Sequence, residues 1–199
     1  MYSVPPGGTE RTTCRRSGDV RTTSYVLPMT SVGITPASPA SPPTPFDLLE
    51  GSWVGTGRGV YPTVPEFTYA ERVTFTRSPK GFLAYQQLTT NPHTGAPMHT
   101  ESGYLRFVSE LGTVEFVLAQ PTGVVEIHAC TPKSTPTNLQ LHFRPVSLAL
   151  TPSAKAIVAI ERNLEIVANE LTYTVAMAAV GLPLQHHLAA TLLRVPSGT

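Results

Sequence analysis

The chain has 199 residues, 41% of them hydrophobic and 14% charged, with a formal net charge of +1. That is one domain with material for a sizeable core, and its near-neutral balance gives no field that would draw it to nucleic acid or to an anionic membrane. No apolar run approaches the ~18 residues a spanning helix needs, and two cysteines, Cys14 and Cys130, are too few for a disulfide framework and fit a reducing, cytoplasmic compartment.

The N-terminal segment stands apart. Pro5, Pro6, Pro28, Pro36, Pro39, Pro42, Pro43 and Pro45 crowd into it, ending in Thr35-Pro-Ala-Ser-Pro-Ala-Ser-Pro-Pro-Thr-Pro45. A stretch of this kind cannot bury enough apolar surface to offset the entropy of ordering it, so residues 1–45 are expected to be a disordered Pro/Ser/Thr-rich tail. Arg11, Arg15, Arg16 and Arg21 give it the composition of a transit peptide, against which Glu10 and Asp19 count. No apolar stretch follows a basic start, so a secretory signal is not expected, and Met29 offers a second point of initiation.

From Phe46 the character changes. Pro45-Phe-Asp-Leu-Leu-Glu50 reads as one helical turn, and everything after it reads as strand. In Phe67-Thr-Tyr-Ala-Glu-Arg-Val-Thr-Phe75 the large apolar residues fall at 67, 69, 73 and 75, and in Glu170-Leu-Thr-Tyr-Thr-Val-Ala-Met177 at 171, 173, 175 and 177. This period of two marks half-buried antiparallel strands. With further candidates at 52–60, 81–89, 101–108, 113–119, 123–129, 138–143, 156–166 and 187–194, the chain has about ten short strands. Turn signals at 78–81, 91–95, 120–123 and 167–169 separate several of them. The expected fold is all-β, an antiparallel up-and-down barrel over 46–195, whose closure removes exposed edges. Ten strands exceed the eight that side chains nearly fill, so the barrel should enclose a cavity for one small ligand.

The sequence lacks a phosphate loop, a dinucleotide fingerprint after a strand, a Cys-x-x-Cys pair and Gly-x-Ser-x-Gly. Gly55-Thr-Gly57-Arg-Gly59 reads as a bent strand where another group comes close. Six histidines remain: His93 in a turn, His99 next to Met98, His128 and His142 without a partner at chelating spacing, and the pair His186-His187 at the start of the final strand. Adjacent strand residues point to opposite faces, so one of that pair is expected inside. His187 shares its face with Ala189, Thr191 and Leu193, the roomier set, and His186 with Leu188, Ala190 and Leu192. The pair reads either as structural or as one ligand. One inward imidazole in an apolar cup fits haem, whose iron takes a single histidine.

Gly51-Ser-Trp-Val-Gly-Thr-Gly57, Tyr61-Pro-Thr-Val-Pro-Glu-Phe67, Gly95-Ala-Pro-Met-His-Thr-Glu-Ser-Gly-Tyr104, Ala119-Gln-Pro-Thr-Gly-Val-Val-Glu126 and Met177-Ala-Ala-Val-Gly-Leu-Pro-Leu-Gln-His-His-Leu188 together resemble the nitrobindin family. The resemblance implies a lipocalin-like or fatty-acid-binding-protein-like barrel carrying one haem b, with Pro183-Leu-Gln-His-His187-Leu188 selecting His187 as the proximal, catalytic ligand of the iron. It further implies that Thr63, Phe67, Met98, His99, Gln120, Thr122, Lys155 and Met177 contact the cofactor, Lys155 through a propionate. Met98 and His99 are neighbours, so both can face the haem only where the strand bends. Trp53 is expected at the closed end of the barrel. The implied activity is isomerisation of peroxynitrite to nitrate on ferric haem, with nitric oxide as a second small ligand, a mostly apolar distal wall, and a chain that stands alone or pairs as a homodimer. A non-catalytic haem or nitric oxide carrier, or a haem-free cup for a fatty acid, are the competing readings.

Overall fold

The computed structural model describes residues 44–196. All but the last two residues of the expected 1–45 tail therefore lie outside the described residues. The first element, α1 (Pro45–Leu49), opens on a proline suited to an N-terminal turn, and the Asp47 carboxylate accepts a hydrogen bond from the Thr44 N–H at 2.6 Å. The strands follow: β1 (Gly51–Tyr61), β2 (Val64–Arg77), β3 (Phe82–Thr90), β4 (Pro97–Val108), β5 (Thr113–Gln120), β6 (Val124–Cys130), the two-residue β7 (Lys133–Ser134), β8 (Asn138–Leu150), β9 (Ile157–Val167), β10 (Glu170–Ala179) and β11 (Gln185–Arg194).

Ten long strands close into an antiparallel barrel in the order β6-β5-β4-β3-β2-β1-β11-β10-β9-β8, with β8 returning to pair with β6. The expected strand 138–143 runs on to Leu150. Asn138–Phe143 pair with β9, and Arg144–Leu150 swing across to β6. A register shift opposite Ile127 and His128 leaves Val146 unpaired beside Pro145, where a proline is tolerated because the ladder is already broken. This one bent strand closes the barrel.

Side chains fill only one half of it. Phe46 and Leu49 of α1 are buried with Trp53, Phe75, Leu83, Leu105, Leu139, Ile166, Leu171 and Leu192, which come from the strand ends around α1. Trp53 donates its indole N–H to the Leu49 carbonyl at 2.9 Å, and the Arg194 guanidinium lies 4.1 Å from its ring centroid. Arg77 ties the outside of the plug to Asp47 and Glu50, both at 2.6 Å. Among the described residues the strand ends opposite α1 carry no such plug, and they surround the cavity described below.

The glycines of β1 let aromatic rings cross the wall. A Cβ at Gly57 would overlap the Tyr69 ring and one at Gly59 the Phe67 ring, so both rings are set against bare backbone. A Cβ at Gly55 would meet the Thr191 carbonyl of β11. Because neither strand can retreat without breaking the ladder on its other side, Gly55→Ala is expected to cost about 1–3 kcal/mol, measured by urea unfolding.

Candidate ligand-binding cavity

The open half holds a cavity of ≈ 570 Å³, within the range of small-molecule and cofactor sites. Thr63, Phe67, Met98, His99, Gln120, Thr122, Lys155, Met177 and His187 all line it, so the structure brings the nine residues singled out by sequence to one place. Val64, Val124, Ile157, Ile160, Val175 and Leu188 complete an apolar wall, and Lys155 stands exposed on β8–β9 loop backbone at the cavity rim.

His187 is held by two contacts. Its Nδ1 lies 3.1 Å from the Val60 carbonyl, which fixes the proton there and leaves Nε2 as the lone-pair nitrogen. The Tyr61 ring packs edge-on against it, centroids 5.3 Å apart, and the Tyr61 hydroxyl is itself anchored, accepting from the Ala179 N–H at 2.9 Å and donating to the Ala179 carbonyl at 3.2 Å. Burial lowers the pKa of His187 below the usual imidazole value, which favours the neutral ring that a metal requires. His186 is exposed and does not line the cavity.

The reason His187 points inward differs from the expected one. The face shared with Ala189, Thr191 and Leu193 is the outer face, with Leu193 58% exposed, whereas Ala190 and Leu192 are buried. Strict alternation would therefore turn His186 inward. The β10–β11 register is interrupted at this point: Val175 pairs with Leu188 and Ala176 with His186, so His187 is a bulge residue. One extra residue reverses the phase and turns His187 into the cavity beside Leu188. A second bulge settles the Met98–His99 conflict. Thr89 pairs with His99 and Thr90 with Pro97, leaving Met98 unpaired, and both neighbours reach the cavity.

The lining is mainly apolar, but the deep end of the cavity is polar, a feature that the alternation pattern does not predict. Arg162 of β9, with its side chain 11% exposed, donates to both oxygens of Glu101 (3.0 and 2.8 Å) and both oxygens of Glu126 (2.9 and 2.7 Å). Glu126 also accepts from Gln120 Nε2 at 2.6 Å and meets His128 Nε2 at 2.7 Å, while Glu101 lies 3.4 Å from His99 Nε2. His99 and Gln120 are thus attached to one Arg162-centred network. Burial pushes both carboxylates up, but the guanidinium outweighs it, holding Glu126 at about 2 and Glu101 below the usual range. Beside this network, Glu71 bonds to Gln87 and to the Tyr173 hydroxyl (2.8 Å); burial raises its pKa to about 7.

His128 is fully buried between Phe116 and Phe143, with Glu126 on Nε2 and no partner on Nδ1. His93 is exposed in its turn. Cys130 is half-buried, and burial pushes its thiol up to about 11, which makes it a poor nucleophile. Among the described residues no three of His, Cys, Asp and Glu gather as a metal site; haem is a metal group that asks a single nitrogen of the protein. The donor set fits that group: one neutral imidazole with a free nitrogen, on the wall of a large, mainly apolar cavity. No helix among the described residues is long and apolar enough to cross a membrane.

Comparison with known proteins agrees with this geometry. Residues 43–194 match the family model described as "THAP4-like, heme-binding beta-barrel domain". The chain is 44% identical to a protein of Mycobacterium marinum named peroxynitrite isomerase 2, and 47% identical to one of Mycolicibacterium paratuberculosis named peroxynitrite isomerase 1. Each alignment spans 146 residues, 73% of this chain and 90% of the relative. The crystal structure of Rv2717c from M. tuberculosis superposes with a TM-score of 0.72 at 43% identity, covering 76% of this chain and 95% of that one.

Proposed function

The chain belongs to the THAP4-like haem-binding β-barrel family, and from that premise we propose that it binds one haem b per chain through His187 and isomerises peroxynitrite to nitrate. The observation that carries this reading is the His187 imidazole on the cavity wall, kept neutral by burial and with Nδ1 committed to the Val60 carbonyl. Ferric haem, when bound, supplies the iron Lewis acid that weakens the O–O bond of the peroxynitrite anion so that its fragments rejoin as nitrate.

The rest is the work of this chain. Nε2 of His187 would hold the haem iron, and Val60 and Tyr61 fix the plane in which the ring presents it. Phe67, Met98, Met177 and Leu188 would pack on the haem and exclude water, and Thr63 and Thr122 line the same cavity. Lys155, exposed at the rim, pairs with a propionate. Gln120, whose amide keeps a second N–H beyond the one given to Glu126, offers a hydrogen bond to an oxyanion, and Glu101 steadies His99 on the same wall. The reading extends to nitric oxide as a second ligand, a cytoplasmic location suited to free thiols, and pairing of two copies through the outward Tyr104, Val117 and Ile127, cross-strand neighbours on β4, β5 and β6.

Stopped-flow decay of peroxynitrite is the test. The ferric, haem-loaded chain at substoichiometric amounts is expected to accelerate the decay over free buffer and to direct the product to nitrate. Acceleration that ends after one equivalent would leave a haem carrier instead.

A further inference from the structure

Two tyrosines, a glutamate and a glutamine form a chain of hydrogen bonds at the deep end of the cavity that ligand binding at His187 does not use. Tyr69 and Tyr173 line the cavity, and their hydroxyl oxygens are 2.9 Å apart. The Tyr173 hydroxyl donates its single proton to Glu71 Oε2 at 2.8 Å and accepts from Gln87 Nε2 at 3.2 Å, so Tyr69 is the donor of the tyrosine pair. Gln87 also donates to the other oxygen of Glu71. The phenol that lies in the middle thus gives its proton to a carboxylate and receives two hydrogen bonds.

A phenol gives up an electron readily only if its proton leaves at the same time, because the oxidised phenol with its proton still attached is a very strong acid. What marks a redox-active tyrosine is therefore a base already within hydrogen-bond distance of the hydroxyl. Of the described tyrosines, Tyr85 also meets a carboxylate, Glu101 at 3.2 Å, but that carboxylate is clamped by both nitrogens of Arg162 and held charged, a weak proton acceptor. Tyr61 donates to backbone carbonyls. Glu71 has no guanidinium bonded to it; its partners are Gln87 on β3 and Tyr173 on β10, with Glu101 of β4 and Arg162 of β9 acting only through space. Burial gives it a pKa of about 7, so at neutral pH it is both ionised in part and basic enough to keep a proton.

We propose that Tyr173, backed by Tyr69, is an electron-donor site that intercepts one-electron oxidants entering or formed in the cavity, its phenol proton passing to Glu71. The oxidant is of the nitrogen dioxide class, which homolysis of the peroxynitrite O–O bond releases. Tyr173–OH gives one electron to nitrogen dioxide, which leaves as nitrite; the O–H bond breaks and the proton forms a bond to Glu71 Oε2. The neutral phenoxyl keeps the hydrogen bonds from Tyr69 and Gln87 that stabilise it, and either a thiol-class reductant restores it or a second nitrogen dioxide couples to the ring as 3-nitrotyrosine. The site depends on the cavity and not on iron, so failure of the chain to bind haem would leave it standing.

The experiment uses the full chain without added haem. Nitrogen dioxide is generated by pulse radiolysis of nitrite, phenoxyl radical is followed by transient absorbance and freeze-quench electron paramagnetic resonance, and nitrated residues are then mapped by peptide mass spectrometry. The expected radical sits on Tyr173, and its rate of formation rises as the pH rises through about 7, because only ionised Glu71 accepts the proton. Tyr173→Phe, which keeps the ring and so the packing, should remove most of the signal, since Tyr69 is then left with only the Ala189 carbonyl at 3.5 Å. Glu71→Gln should slow radical formation by about a hundredfold and flatten its pH dependence, the low end of what a positioned base contributes. Tyr104→Phe, on the exposed outer face, should change neither. An unchanged yield in Tyr173→Phe, or nitration confined to Tyr104, would overturn the proposal.

Discussion

His187→Ala is expected to abolish the Soret band that hemin develops on binding this chain, whereas His186→Ala leaves it intact. The two residues are adjacent and chemically identical, so the contrast reports geometry alone. His186 is exposed, and its side chain leaves the barrel. His187 is the bulge residue of the β10–β11 ladder, turned inward, its Nδ1 on Val60 and its ring against Tyr61. Removing it deletes the imidazole anchored to Val60 and Tyr61 and leaves a space of the same size. Free imidazole added to the His187→Ala protein should therefore restore a shifted band, which shows that the barrel is intact and that the ligand, not the fold, was lost. A His187→Ala protein that still binds hemin with an unchanged spectrum, or a His186→Ala protein that does not bind, would place the ligand elsewhere.

Much of this site was legible in the sequence, and the parts that were not share a cause. Period-two patterning located every long strand, because a barrel wall has one wet and one dry face and alternation follows from that alone. The motifs that brought Thr63, Phe67, Met98, His99, Gln120, Thr122, Lys155, Met177 and His187 together are local, and each supplies one stretch of cavity wall. What local reading missed depends on pairing between strands. A bulge changes the phase of a strand by one residue, and whether Met98 or His187 is the extra residue is decided by the partners Thr89–Thr90 and Val175–Ala176. Parity applied to the last strand gave the wrong face for its small residues, and only the family motif selected His187.

The polar deep end did leave a mark. In the alternating series 67, 69, 71, 73, 75 of β2, Glu71 is the one charged member among large apolar residues, and on β6 Glu126 and His128 are in phase with buried Val124 while Val125 and Ile127 face out. A carboxylate at an inward position signals a buried partner, but not which one. Arg162, which satisfies Glu101 and Glu126, lies 61 and 36 residues away along the chain. Only barrel closure brings them together.

That closure makes Arg162 a sensitive position for stability. Arg162→Met is expected to destabilise the barrel by about 3–5 kcal/mol at pH 7, as breaking a buried ion pair leaves charge uncompensated. Here two carboxylates are left facing each other, with only His128, Gln120, His99 and Tyr85 to stabilise them. The sign of the pH response separates this cause from lost packing. In the parent chain the carboxyl of Glu126 is held at about 2, below its unfolded value of 4.5. Its contribution is therefore present above pH 4.5 and is lost as the pH falls toward 2. In Arg162→Met the guanidinium is gone and burial alone acts, which raises both carboxyl pKa values above their unfolded ones. The variant should then gain more stability than the parent chain as the pH falls from 7 to 5, Glu71 with its pKa of about 7 contributing a gain to both. Urea midpoints at the two pH values measure this directly. The triple change Glu101→Gln, Glu126→Gln, Arg162→Met removes the charges together and should recover most of the loss, because an uncharged network of similar volume has nothing left uncompensated. If the triple variant is no more stable than Arg162→Met alone, the penalty lies in the shape of the guanidinium and not in the charges it holds.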